Sequence, residues 1–274
     1  MVKARALFGY VVLILCAISM LLPFFWMVLT SFMTNEEIFS YPIRFLPETF
    51  DFSNYKNVFV NMPLAKYFLN SLLVSAITTI GQVIIASMAG YAFARFTFRG
   101  KELLFIIILL TMMVPPQVNI IPLFYVMREL NLVDTYAALI LPGFFGGFGI
   151  FLMRQWFIKL PKSVEEAAKI DGSNNFEIFF KIALPLAVPA IMTLAIFTFV
   201  SSWNSFIWPL IITNSDEMKT LPVALAAFKG SYRETIVWGE LMACSVISVI
   251  PVIVVFLLGR KYFINDLLAG SLKD

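Results

Sequence analysis

The sequence predicts an all-α membrane protein with six transmembrane helices, and three observations carry that reading. Of its 274 residues, 60% are hydrophobic and only 14% charged, whereas soluble domains are about 45–50% apolar and about 25% charged. Mean hydropathy is +0.88, so a water-soluble fold would lack the polar side chains to cover its surface. Six stretches are long enough for a bilayer core, which takes roughly 20 apolar residues per helix. They fall at about 6–31, 67–94, 103–127, 136–153, 182–212 and 236–259, within a single domain covering 1–274.

The first span belongs to "MVKARALFGYVVLILCAISMLLPFFWMVLTSF". Its apolar run exceeds the roughly 7–15 residues of a signal peptide, and no small-x-small cleavage site follows. Leu15 stands before Cys16 where a lipoprotein signal has a small residue, so an uncleaved anchor is expected. The second span carries Thr78, Thr79 and Gln82. The third holds "PPQVN" at 115–119, which breaks the helix and frees backbone groups that need partners, as a gate or a kink. The fourth contains "GFFGGFG" at 143–149, whose glycines permit close helix contacts. The fifth is long for one span and contains Pro185, Pro189 and Pro209, so it bends or ends in a separate short element. The sixth carries Glu240 near its outer end.

Basic residues orient the chain. With the N-terminus inside, thirteen of the twenty Lys and Arg lie on the cytoplasmic side. Both termini are then cytoplasmic, as is the polar loop at 154–181. The outer loops are about 32–66, 128–135 and 213–235.

Composition also excludes functions. A net charge of +3 leaves no electrostatic footprint for nucleic acid. Cys16 and Cys244 lie in apolar runs and read as small hydrophobes rather than a disulfide or metal site. There is no histidine, which removes the commonest general base and metal ligand. An intramembrane enzyme would have no catalytic constellation to use. No Asp, Glu, Lys or Arg falls mid-span, whereas ion-coupled carriers place ionisable groups at the midplane. External energy and a neutral solute are favoured.

The polar stretch "EEAAKIDGSNNFEIFFKIALP" interrupts this apolar chain. "LPKSVEEAAKIDG" predicts a helix of about two turns, with Ser163 and Glu166 as a capping box and Gly172 as the left-handed stop. A second helical piece begins near Asn174 and Asn175 and carries Phe176, Phe179 and Phe180. So short a helix needs something packed on it. It either lies on the membrane surface or docks on a partner, with small Ala167 and Ala168 and the carboxylates of Glu166 and Asp171 available for contact.

Spacing adds a resemblance. Glu166-Ala167-Ala168, three residues, Gly172, nine residues and Ile182-x-Leu184-Pro185 is similar to the EAA loop of ABC importer permeases. With "FLNSLLVSAITT", "AGYAFARFTFRGK", "MMVPPQVNIIPLF", "GIFLMRQWF", "TFVSSWNSFIWPL", "TLPVALAAF" and "AGSLKD", nearly the whole chain resembles the second permease subunit of carbohydrate importers of the maltose and glycerol-phosphate type. Those subunits often end in Lys-Gly, where this chain has Lys273-Asp274. The resemblance implies the type I ABC importer permease fold in a bacterial or archaeal cytoplasmic membrane. It implies that Glu166, Ala167, Ala168, Asp171 and Gly172 form the coupling helix seated on an ATPase. It implies as partners a second homologous permease, two ATPase subunits (alike or different), an extracytoplasmic solute-binding protein and membrane lipid. No cofactor is expected on this chain, ATP and Mg belonging to the ATPases. The tail after Arg260 is a further candidate ATPase contact. A permease for a non-sugar solute stands as the alternative, because EAA loops occur across substrate classes.

For the solute pathway the candidates are Thr198, Ser202, Trp203 and Asn204. "SSWN" offers hydrogen bonds and an aromatic face to a sugar, or else Trp203 sits in an interfacial aromatic belt. The other neutral polar residues, Thr78, Thr79, Gln82, Thr111, Thr193 and Ser201, more commonly join helices to one another.

Overall fold

A computed structural model describes the backbone of residues 2–227 and 236–271 and the side chains of 7–227 and 236–261. The end of the last outer loop and the terminal Lys273-Asp274 lie outside the described residues. Helices α1 (Val2–Thr30), α2 (Asn35–Ile38), α3 (Ser53–Asn61) and α4 (Leu64–Arg95) are followed by α5 (Lys101–Thr111), a 3-10 turn (Pro116–Asn119) and α6 (Ile120–Glu129). Helix α7 (Tyr136–Ile140) and a second 3-10 turn (Leu141–Phe144) lead into α8 (Gly147–Lys159), α9 (Lys162–Ile170) and α10 (Asn175–Ile178). A π-helical turn (Phe179–Ala183) connects to α11 (Leu184–Leu186), α12 (Val188–Trp203), α13 (Ile207–Ile212), α14 (Leu221–Ala227) and α15 (Trp238–Ser271).

Among the described residues, four helical stretches are long and apolar enough to cross a bilayer: Leu7–Thr30, Leu64–Arg95, Tyr136–Lys159 and Trp238–Lys261. The third and fifth expected spans are bent pairs, so six spans result when each pair counts as one. Lys101–Thr111 and Pro116–Glu129 meet at 95°, and Asn175–Leu186 and Val188–Trp203 at 75°. Proline explains both. Pro115 takes an extended ψ of 132°, and Pro185 and Pro189 flank the second bend without N–H groups to continue the ladder. The fifth span ends in the separate α13, as its prolines suggested. Helix α8 runs on to Lys159, past the expected end at 153, so one continuous rod leads into the polar loop.

The chain contacts divide it into two units, 1–68 with 223–251, and 69–222 with 252–274. In the first, Asn54 Nδ2 donates to the Ser31 and Met33 carbonyls at 3.0 and 2.9 Å. Asn35 bridges onward, donating to Ile236 O at 3.0 Å and accepting from Trp238 N–H at 2.9 Å. Glu240 is buried in the first turn of α15 and receives Asn61 Nδ2 on both oxygens, at 3.3 and 3.4 Å. By contrast, none of the apolar window of α1 is buried.

The second unit is built on close approach. Ala86, Tyr91, Ile150, Met153, Phe157 and Leu194 form its core. A Cβ on Gly90 would stand 2.6 Å from Met153 Cβ and 2.8 Å from Arg154 N, so α4 and α8 touch backbone to backbone. Gly143 likewise admits Thr78, whose Cγ2 would lie 2.5 Å from an added Cβ. The glycine-rich segment thus supplies the contacts its composition suggested. In lipid such packing gains dispersion rather than hydrophobic free energy.

Candidate functional site

Two places in the second unit hold the sequence-predicted residues. The first is α9. Its stop is a complete Schellman motif: Gly172, at φ +86°, donates to Lys169 O at 3.1 Å, and Ser173 N–H donates to Ala168 O at 2.9 Å. The predicted start needs correction. Ser163 and Glu166 form no capping box, because the helix begins two residues earlier than that pattern requires, with Pro161 as its N-cap and no side-chain cap. The box lies instead at α10, where Asn174 and Glu177 exchange bonds of 3.0 and 2.9 Å.

Helix periodicity sorts the residues of α9. Glu165 and Ala168, three apart, are buried, whereas Val164, Glu166, Ala167, Lys169, Ile170, Asp171 and Gly172 are exposed. Ile170 is 86% exposed, an apolar side chain with no cover from its own chain. Ala168 therefore admits this chain's own interior, not an outside surface, which corrects its expected place on the docking face.

Sequence reasoning missed what anchors this helix. Arg95, at the end of α4, donates from Nε to Glu165 Oε1 at 2.7 Å and from an Nη to Leu160 O at 2.7 Å. The two side chains are only 6% and 11% exposed. The available signal was a basic residue ending a long apolar helix and an acid three residues before Ala168 on one helix face. Nearby, Tyr91 of α4, Phe157 of α8 and Phe179 of the π turn form an aromatic joint with centroids 5.1–6.4 Å apart. Arg154 on α8 donates to Phe93 O at 3.3 Å and places its guanidinium 4.0 Å over Phe105 of α5.

The second place is a cavity of about 190 Å³ between α4, α12, α13 and the turn after α7, lined in part by Ser71, Thr78, Gln82, Thr198, Ser201, Ser202, Ser205, Trp208 and Thr220. A wider groove of about 930 Å³ adjoins it, sharing Pro142, Gly143, Ser205 and Trp208, and adding Gln117, Asn119 and Asn204. Of the expected pathway residues, Thr198 and Ser202 reach the cavity and Asn204 the groove. Trp203 reaches neither. It is 2% exposed and stacked on Phe199, with centroids 5.9 Å apart and planes at 14°. The register explains this: 198, 201 and 202 share one helix face, and 199 and 203 another. Trp208 is the indole that lines both spaces, a role the sequence reading gave to Trp203. Thr79, Thr111 and Thr193 bond to carbonyls of their own helices, so they do not join helices through those hydroxyls.

Residues 82–267 match the family described as binding-protein-dependent transport system inner membrane component. The chain is 36% identical over 256 residues to the arabinooligosaccharides transport system permease protein AraQ of Bacillus subtilis, covering 92% of this chain and 90% of that one. It is 36% identical over 265 residues to the trehalose/maltose transport system permease protein MalG of Thermococcus litoralis, covering 95% and 94%. Among solved structures, a bacterial ABC transporter involved in the import of the acidic polysaccharide alginate matches with a TM-score of 0.85 at 28% identity, over 95% of this chain and 97% of the other.

Proposed function

The chain belongs to the binding-protein-dependent transport system inner membrane components, and on that premise we propose that it is one permease subunit of an ATP-driven importer for a sugar or sugar derivative. Its fold is that of the type I ABC importer permeases, and it is a multi-pass membrane protein. In the proposal it sits in a bacterial or archaeal cytoplasmic membrane with both termini inside, hydrolyses nothing itself and binds no cofactor. A second homologous permease, two ATPases carrying ATP and Mg, and an extracytoplasmic binding protein complete the machine.

The observation that carries this reading is the anchored docking helix. Glu166, Ala167, Asp171 and Gly172 stand exposed with Val164 and Ile170, while Glu165 and Ala168 tie the same helix inward. A surface-lying loop helix would gain little from a buried ion pair. A helix that must transmit a pull does gain, because force on its outer face passes through Arg95 into α4 and through Leu160 into α8. Thr198, Ser202 and Asn204 then line the solute's route. A sugar is favoured because AraQ and MalG are named for saccharide transport, and because every side chain lining the cavity among the described residues is uncharged.

Reconstitution tests it. The chain is assembled in vesicles with its neighbouring-gene permease, ATPases and binding protein, and offered labelled maltose, trehalose and arabinotriose. Uptake of at least one sugar that requires ATP is expected. Uptake without the ATPases would overturn the coupling role, and ATP-driven uptake of non-sugar solutes alone would overturn the substrate class.

A further inference from the structure

We propose that the segment 39–52, which follows α1, is a membrane foot. It lies among the lipid headgroups of the leaflet at the Thr30 end of α1 and reaches toward the acyl chains with its apolar side chains. This holds for a membrane-spanning chain whatever solute is carried.

"FSYPIRFLPETFDF" is apolar for a stretch outside the spans, and its rings are uncovered. Phe39, Tyr41, Phe45, Phe50 and Phe52 are 65–97% exposed. At about 150–250 Å² per ring they show on the order of 500–900 Å² of apolar surface. The largest apolar patch of a typical soluble protein is about 300–600 Å², so water is a poor solvent for this face. The charged side chains are already engaged nearby. Arg44 pairs with Glu48, and Asp51 accepts from the Ser53 N–H at 2.9 Å and the Ser53 hydroxyl at 2.7 Å. Glu37 closes the fold, accepting from Thr34 N–H at 2.8 Å and Glu48 N–H at 3.2 Å. A protein partner would be held by about one hydrogen bond per 100–200 Å², whereas acyl chains ask for none.

Two indoles set the depth. Phe45 meets Trp26 edge-on with centroids 5.9 Å apart, and Phe39 meets Trp238 edge-on at 6.3 Å. Trp238 opens the apolar stretch Trp238–Lys261. Trp26 lies four residues before the end of α1, about 6 Å inside it. The chain therefore leaves α1 at Thr30 and folds back, placing Phe45 beside the last turn of a span and not out in water. Leu7–Thr30 has 24 residues, about 36 Å of helix against a hydrocarbon core of about 30 Å. Trp26 thus sits near the edge of the core, the depth at which Trp and Tyr rings gather. Irregular backbone is excluded from lipid-exposed hydrocarbon, which keeps the segment's main chain among the headgroups. None of the apolar window of α1 is buried, so uncovered apolar surface runs on from that helix to the segment. Anchored at both indoles, the foot fixes the depth and tilt of α1.

The test places the complete transporter in phosphatidylcholine nanodiscs, in a Cys16→Ala background, Cys244 being buried. Nitroxide labels are attached in Ile43→Cys and Leu46→Cys, at positions 62% and 65% exposed, and in Lys56→Cys, at an exposed position of α3. Labels at 43 and 46 are expected to collide more with oxygen, which concentrates in lipid, than with a water-soluble nickel chelate. The label at 56 is expected to show the reverse. Collisions at 43 and 46 dominated by the nickel chelate would place the segment in water, and exclusion of both reagents would place it under another subunit. Either result overturns the foot. In the unlabelled wild-type transporter, a phosphatidylcholine with a photoreactive group at the glycerol end of its acyl chain should add to peptides within 39–52. Adducts confined to the spans would overturn the foot as well.

Discussion

Breaking the Arg95–Glu165 pair should release α9 without unfolding the spans. At 2.7 Å and an effective dielectric of about 20, the gross attraction is about 6 kcal/mol. Desolvation of two side chains only 6% and 11% exposed offsets much of it, so the net worth of the pair is small. Removing one partner is another matter, since it strands a buried charge at a cost of about 3–5 kcal/mol. Arg95→Met should be the worse single change, because it also orphans the Leu160 carbonyl. The assay is hydrogen exchange, read by mass spectrometry, on the amides of 162–173 in the assembled transporter. Exchange should rise by about two to three and a half orders of magnitude in Arg95→Met, at 1.4 kcal/mol per decade, and ATP-driven uptake should fall with it. In Arg95→Met/Glu165→Leu no charge is left buried, and most protection should return. If the double variant exchanges as fast as the two single effects combined, the pair is not the anchor and the reasoning fails.

Other positions make simpler predictions. Gly172 has φ +86° with open space around its Cβ position, so Gly172→Ala should cost about 1–2 kcal/mol of backbone strain alone; uptake per transporter drops, and normal uptake at normal membrane abundance would refute it. Gly90→Leu drives a side chain into the Arg154 backbone and should cost about 1–3 kcal/mol or more, seen as lost protein in the membrane fraction. Asn174→Ala removes one side of the α10 capping box and should cost about 1 kcal/mol, measured as faster exchange at 175–178 with α9 unaffected. Partial burial raises the Asp134 carboxyl's pKa, but the Asn214 and Ser215 N–H groups and the Ser215 hydroxyl outweigh it and hold the value below normal. Its contribution is therefore full above about pH 4 and is lost as the pH falls through the lower folded value. Exchange at 214–215 should accelerate in that acid window in wild type, and Asp134→Asn should abolish the pH dependence.

Features carried by local chemistry were legible in the sequence. Apolar runs marked the long apolar helices, the prolines of the third and fifth announced their bends, and Gly172 marked the end of α9 because only one conformation satisfies that stop. What failed was rotational register. Ser163 read as a cap because S-x-x-E is a local pattern, yet the helix start was set by Pro161. Trp203 and Trp208 are indistinguishable by composition, and only packing on Phe199 decides which ring turns away. Arg95 and Glu165 are seventy positions apart, so their pairing depends on how α4 meets the polar loop, which no local window contains. For the same reason Ser71 and Thr220 were not counted among the cavity residues.

The elbow at Pro115 has a consequence for how such chains vary over time. Helix α5 has 11 residues, which at 1.5 Å each covers about 16 Å, near half of a bilayer core of about 30 Å. In a straight helix one inserted residue turns everything beyond it by about 100° and presents the wrong face to every neighbour. Across a 95° bend that rotation is not passed on. The two halves of the third span are thus insulated from each other's insertions and deletions, and the wall of the groove they share can be lengthened or shortened on one side while the packing of the other is inherited unchanged.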